Sequence, residues 1–183
     1  MNLSHIKEML EFNKKFVENR EYEAYCTSKR PNKKIAIVSC MDTRLTEILP
    51  AALNLKNGDA IIIKTAGAII AHPFGSVMRS LMVAIYELGI EDILVIGHHD
   101  CGMQGMDASK LITKMLDSNI AKERIDFISH CGIDLNKWLK GFDDSQDAIR
   151  ETVNTIKRHP LIPADLCVHG FIIDPISGKL GAV

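Results

Sequence analysis

Residues 35–45 read IAIVSCMDTRL, and residues 93–103 read ILVIGHHDCGM. Each stretch opens with a β-branched apolar run of strand length and closes on a Cys or His amid polar residues. The runs are continuous, not alternating, which suits strands covered on both faces in a parallel sheet. Two further runs, Ala60 to Ile63 (AIII) and Leu166 to Ile173 (LCVHGFII), extend the pattern to four expected strands.

Helical periodicity separates them. Val77, Leu81, Ala84, Ile85 and Leu88 form an apolar stripe that starts after Gly75-Ser76 and stops at Gly89, as a crossover helix should. Further helices are expected from about Ser109 to Leu116 and from Ser145, as cap, to Arg158. Leu3, Ile6, Leu10 and Val17 give residues 1–28 an amphipathic helix whose apolar face must pack on the core or on a partner subunit. Pro175 to Gly178 reads as a turn, with Lys179 to Val183 folding back as an antiparallel edge strand. The expected architecture is α/β: a mostly parallel central β-sheet flanked by helices, with an antiparallel C-terminal edge strand, in one domain over 1–183.

The 183 residues include 46% hydrophobic and 25% charged ones, an ordinary globular balance. With 22 Lys+Arg against 23 Asp+Glu and no basic run, the electrostatic footprint of a nucleic-acid binder is missing. No apolar run reaches the roughly 20 residues needed to cross a bilayer. MNLSHIKEMLEFNKK is too polar for a signal peptide, so a cytoplasmic protein without membrane partners is expected. Five cysteines, an odd number, favour reduced thiols or metal ligands over a disulfide framework.

In open α/β sheets, ligands collect outside the carboxyl ends of the strands, where strand order switches. Cys40, His98 and Cys101 all fall just past expected strand ends and could meet there. Two thiols and an imidazole suit zinc, and three protein ligands leave a fourth position for water. Asp42 could flank that position or, in a closed state, fill it as a fourth ligand. Arg44 is spaced to grip Asp42 with a bidentate fork and hold it off the metal. The Gly102 amide, placed at a helix start, could stabilise a developing oxyanion. Cys26, Cys131 and Cys167 read as ordinary thiols without partners at metal spacing. His72, or the pair His99 and Asp100, could relay protons, and Met41, Met103 and Met106 could wall a small apolar pocket.

The pattern CxDxR (Cys40, Asp42, Arg44) followed by HxxC (His98, Cys101) resembles the β-class carbonic anhydrases, and HHDCGM is similar to their compact branch. The resemblance runs from the strand before Cys40 through Ala66-Gly67 to the terminal strand pair. It implies zinc held by Cys40, His98 and Cys101, an Asp42–Arg44 dyad, and Ala66 and Gly67 as backbone at the substrate pocket. It also implies reversible hydration of CO₂ to bicarbonate by zinc-held hydroxide, and self-association as a homodimer or homotetramer. Lys64-Thr65-Ala66 stands where many relatives have Arg-Asn-Ala, and His99 where Thr or Tyr is frequent, so roles at those positions are not carried over. The same ligands and dyad occur in hydrolases of carbonyl sulfide or carbon disulfide. A non-catalytic zinc protein, permanently closed by Asp42, is the expectation from another functional class.

Overall fold

A computed structural model describes residues 4–183. Five strands form one sheet in the order β2-β1-β3-β4-β5. They are β1 (Ile35–Cys40), β2 (Ala60–Thr65), β3 (Asp92–His98), β4 (Cys167–Ile173) and β5 (Leu180–Ala182). All neighbours pair in parallel except β5, which runs antiparallel to Phe171–Ile173. Asp174 builds the connecting turn by accepting hydrogen bonds from the Ile176 and Ser177 amides.

The helices are α1 (Ser4–Glu18), α2 (Leu45–Ala52), α3 (Ser76–Tyr86), α4 (Ala108–Asp117), α5 (Lys122–His130), α6 (Leu135–Leu139) and α7 (Ser145–Lys157). The crossover helix α3 ends as its glycine predicts. Gly89 sits at φ +73°, and the Ile90 amide reaches back to the Ala84 carbonyl at 3.1 Å.

Two expectations need correction. Only β1 and β3 are covered on both faces along their length: in β2 exposed and half-buried residues alternate, and β4, though it lies between β3 and β5, starts with exposed Cys167 and His169 around buried Val168. β2 is an edge strand, and its apolar run reflects one covered face rather than two. The cap of α7 is Asp144, which accepts from the Gln146 and Asp147 amides at 2.8 and 2.9 Å; Ser145 is already helical. A carboxylate there also meets the positive end of the helix dipole. Within the chain α1 buries none of its described residues, leaving Ile6, Leu10 and Val17 at 42%, 60% and 53% exposure. Leu3 lies outside the described residues.

The core lies between the sheet and the helices packed on it, with Leu45 and Leu49 from α2, Met78, Leu81, Ala84 and Ile85 from α3, and Ile149 and Ile156 where α7 crosses the sheet. Gly97 in β3 admits this approach, since a Cβ there would stand 2.8 Å from Ile149 Cγ1 and 3.0 Å from Ile172 Cδ1. Gly97→Ala is therefore expected to destabilise the chain by about 1–3 kcal/mol through overpacking. Ile149→Ala, at a site only 1% exposed, should cost about 2–5 kcal/mol. Urea unfolding midpoints at constant slope measure both.

Candidate metal centre

The chain runs β1, then β2 on one side of it, then β3 on the other, so strand order reverses at β1. β1 and β3 lie parallel and adjacent, so their carboxyl ends stand side by side, and there the chain places Cys40 and His98. Cys101 follows in a turn closed by the Gln104 amide on the Cys101 carbonyl at 2.9 Å. Ligand atoms of Cys40, His98 and Cys101 all lie within 4.8 Å of one another, and all three residues are buried. The topology thus brings together the three residues expected as ligands.

The donor set fits a metal ion. The sulfurs are 3.9 Å apart, far beyond a disulfide bond and close to the roughly 3.8 Å between two thiolates sharing a tetrahedral zinc at 2.3 Å. His98 Nδ1 is tied to the His99 carbonyl at 2.9 Å, which fixes its proton on that side. Nε2 is buried with no hydrogen-bond partner among the described residues, and so presents a free lone pair. Burial raises the pKa of Cys40, but the His98 side chain and the Asp42 and Gly67 amides outweigh it and bring the thiol down. Burial pushes the Cys101 thiol up, against an opposing Met103 amide, and the neighbouring Cys40 charge raises it further. One thiolate thus opposes the ionisation of the second, and a divalent cation between them removes that opposition.

Asp42 stands beside this cluster, its Oδ2 3.8 Å from His98 Nε2. Arg44 grips it as its spacing predicts: Nε donates to Oδ1 at 3.0 Å and Nη2 to Oδ2 at 2.9 Å, while the Arg44 amide adds a bond to Oδ1 at 2.9 Å. The Arg44 side chain holds the Asp42 carboxyl down at about pKa 2 against a smaller opposing effect of burial. The guanidinium is itself anchored by the Asp100 carboxylate at 3.0 Å and the Asp100 carbonyl at 2.9 Å. Asp100, expected as part of a proton relay, is thus the anchor of Arg44. Its place in HHDC, beside a ligand and across from CxDxR, was the signal for an anchor.

Gly102 lies in the exposed turn after Cys101, not at a helix start, because α4 begins only at Ala108 under its own Asp107 cap. Gly67 is buried at φ +75°, and a Cβ on it would meet Phe142 Cε1 at 2.8 Å, so glycine is required both for backbone and for space. Its amide points at Cys40, which puts the Ala66–Gly67 segment against the sulfur. Lys64, at the departure from the family pattern, bonds the Cys40 and Leu45 carbonyls at 3.2 and 3.3 Å and pins the end of β1 to the start of α2. Met41 is 65% exposed, whereas Met103 packs against the core. His72 accepts a local bond from the Phe74 amide. Cys167 does have neighbours at metal spacing, Asp92 and His169, contrary to expectation.

Residues 35–180 match the family model described as carbonic anhydrase. The chain is 51% identical over 181 residues to the candidate carbonic anhydrase YtiB of Bacillus subtilis, covering 99% of this chain and 97% of that one. It superposes on the crystal structure of a β-carbonic anhydrase from Trichomonas vaginalis with a TM-score of 0.89 at 37% identity, covering 98% of this chain and 97% of that one. It is also 26% identical to a carbon disulfide hydrolase of Acidithiobacillus thiooxidans, over 81% of this chain and 76% of that protein. The switch-point cluster, the Arg-held aspartate and these likenesses extend over the same residues, and the chain belongs to the carbonic anhydrase family, in its β class.

Proposed function

We propose that the protein catalyses the zinc-dependent, reversible hydration of carbon dioxide to bicarbonate and a proton. The observation that carries this reading is the buried, unpartnered His98 Nε2 facing two sulfurs, with a carboxylate held alongside by Arg44. Zinc held by Cys40, His98 and Cys101 would supply a Lewis acid that lowers the pKa of water, by less than a three-histidine site does because two thiolates offset the ion's charge. Asp42 accepts a hydrogen bond from the attacking water and orients it toward the substrate. With both oxygens engaged by Arg44, the carboxylate stays ionised and turned aside; released, it would be free to serve as a fourth ligand in a closed state. The Gly102 amide, in its exposed turn, donates to an oxygen of the product anion, and the Ala66–Gly67 backbone borders the substrate.

Self-association as a homodimer or homotetramer belongs to the same reading. It is supported by the apolar side chains of α1, exposed along a helix that buries nothing in its own chain. Five unpaired cysteines suit the reducing cytoplasm. Among the described residues no helix is long and apolar enough to cross a membrane.

Stopped-flow CO₂ hydration with a pH indicator tests the activity. The zinc-loaded chain is expected to exceed the buffer rate by orders of magnitude, to fall to it on chelation, and to recover when zinc is restored. A fully zinc-loaded chain that stays at the buffer rate overturns the proposal. Sulfide release from carbonyl sulfide or carbon disulfide would then identify the hydrolase reading, and no turnover of any of the three substrates the non-catalytic one.

A further inference from the structure

At the opposite end of the same strands lies a second group of metal-ligating side chains. Asp92 opens β3, and Cys167 opens β4 directly beside it, as paired residues of the parallel register. Paired residues in adjacent parallel strands put their side chains on one face, and so do residues two apart in one strand. Asp92, Cys167 and His169 therefore project from the same face. Their ligand atoms all lie within 4.8 Å of one another, with His169 Nε2 4.0 Å from Asp92 Oδ1. Sheet hydrogen bonds, not loop conformation, fix this arrangement.

We infer that Asp92, Cys167 and His169 form a second metal site, which takes a zinc-class divalent ion. A carboxylate, a thiol and an imidazole match the mixed N, O and S preference of zinc and its neighbours, whereas calcium and magnesium require oxygen throughout. As thiolate and carboxylate, the pair supplies two negative charges against the ion's two positive ones. The site is reachable: β5 covers the outer edge of β4 only over Phe171–Ile173, and a surface depression lined by Asp165, Cys167 and His169 opens beside it. From Asp92 to His98 is the full length of β3, about 20 Å at roughly 3.3 Å per residue, so one ion cannot serve both ends. The second ion clasps the first residues of β3 and β4 where the sheet edge is bare, and it shields an otherwise exposed thiol.

Equilibrium dialysis of the full chain against buffered zinc, followed by metal analysis, tests this. The wild type is expected to hold a second equivalent whose affinity drops at least tenfold in His169→Ala, while the first equivalent is kept. Site-resolved alkylation with iodoacetamide provides a readout tied to the residue. Zinc should slow modification of Cys167 at least tenfold in the wild type and not in His169→Ala, while exposed Cys26 and Cys131 react at unchanged rates in both. A wild type that binds a single equivalent, a second equivalent fully retained by His169→Ala, or alkylation of Cys167 that ignores zinc each overturns the site. None of these readouts depends on CO₂ hydration, so the outcome is independent of the proposed activity.

Discussion

His98→Ala is expected to leave a folded chain that no longer holds zinc at the switch-point site and hydrates CO₂ at the buffer rate. The imidazole is 1% exposed and locked by its Nδ1 bond to the His99 carbonyl, so Nε2 is already aimed before any ion arrives. Truncation removes both the donor and the preorganisation. It leaves two sulfurs 3.9 Å apart, one of which burial pushes toward its neutral form. Loss of a mere supporting partner weakens metal binding by about 10- to 100-fold, and loss of a direct ligand from a three-ligand set should exceed about 100-fold. Metal analysis after dialysis against buffered zinc reads the first effect, stopped-flow hydration the second, and circular dichroism checks that the fold persists. His130→Ala is the matched control, since that imidazole bonds the Asp126 carbonyl of its own helix and should change neither. Full zinc occupancy in His98→Ala would remove His98 from the ligand set.

The legibility of this outcome in the sequence has a physical origin. The runs at Ile35 and Ile93 are continuous because β1 and β3 are covered on both faces, and the residue after such a run falls where the sheet collects ligands. Strand-end chemistry is therefore legible in the sequence. What could not be read depended on contacts between distant segments. The run at Ala60 looked equally buried, but burial of its second face depends on sheet order, and β2 lies at the edge. α2 carries no clear helical signal because Pro50 lies inside it; proline lacks an amide N–H and opposes a helix interior, and packing of the fully buried Leu45 and Leu49 outweighs that cost. α5 buries none of its residues and α6 only Leu135, so neither carries a strong apolar stripe. Asp92, Cys167 and His169 are brought together by register alone, since nothing near Asp92 in the chain announces its partners.

Arg44→Ala is expected to keep zinc and lose hydration by about 10²- to 10³-fold, the usual cost of removing one preorganised polar contact at a reacting centre. The substitution deletes two side-chain bonds to Asp42 and two to Asp100, leaving Asp42 only the backbone amide of residue 44. Without the guanidinium, the Asp42 pKa rises from about 2 toward the ordinary carboxylate value. The carboxylate therefore remains ionised at neutral pH, and the loss is one of position rather than charge. An ionised, untethered carboxylate beside a divalent ion turns toward it, closing the fourth position against water. X-ray absorption on the zinc-loaded variant should accordingly show four protein ligands, and cobalt substitution a spectrum without the pH dependence of a bound water. Arg44→Lys should recover little, because an ammonium cannot hold both Asp42 oxygens and Asp100 together in one plane. Asp100→Asn, which keeps the backbone carbonyl anchor, should fall between wild type and Arg44→Ala. A zinc-loaded, fully active Arg44→Ala chain would show that Asp42 needs no restraint, and the switch would then have to be abandoned even if CO₂ hydration itself stands.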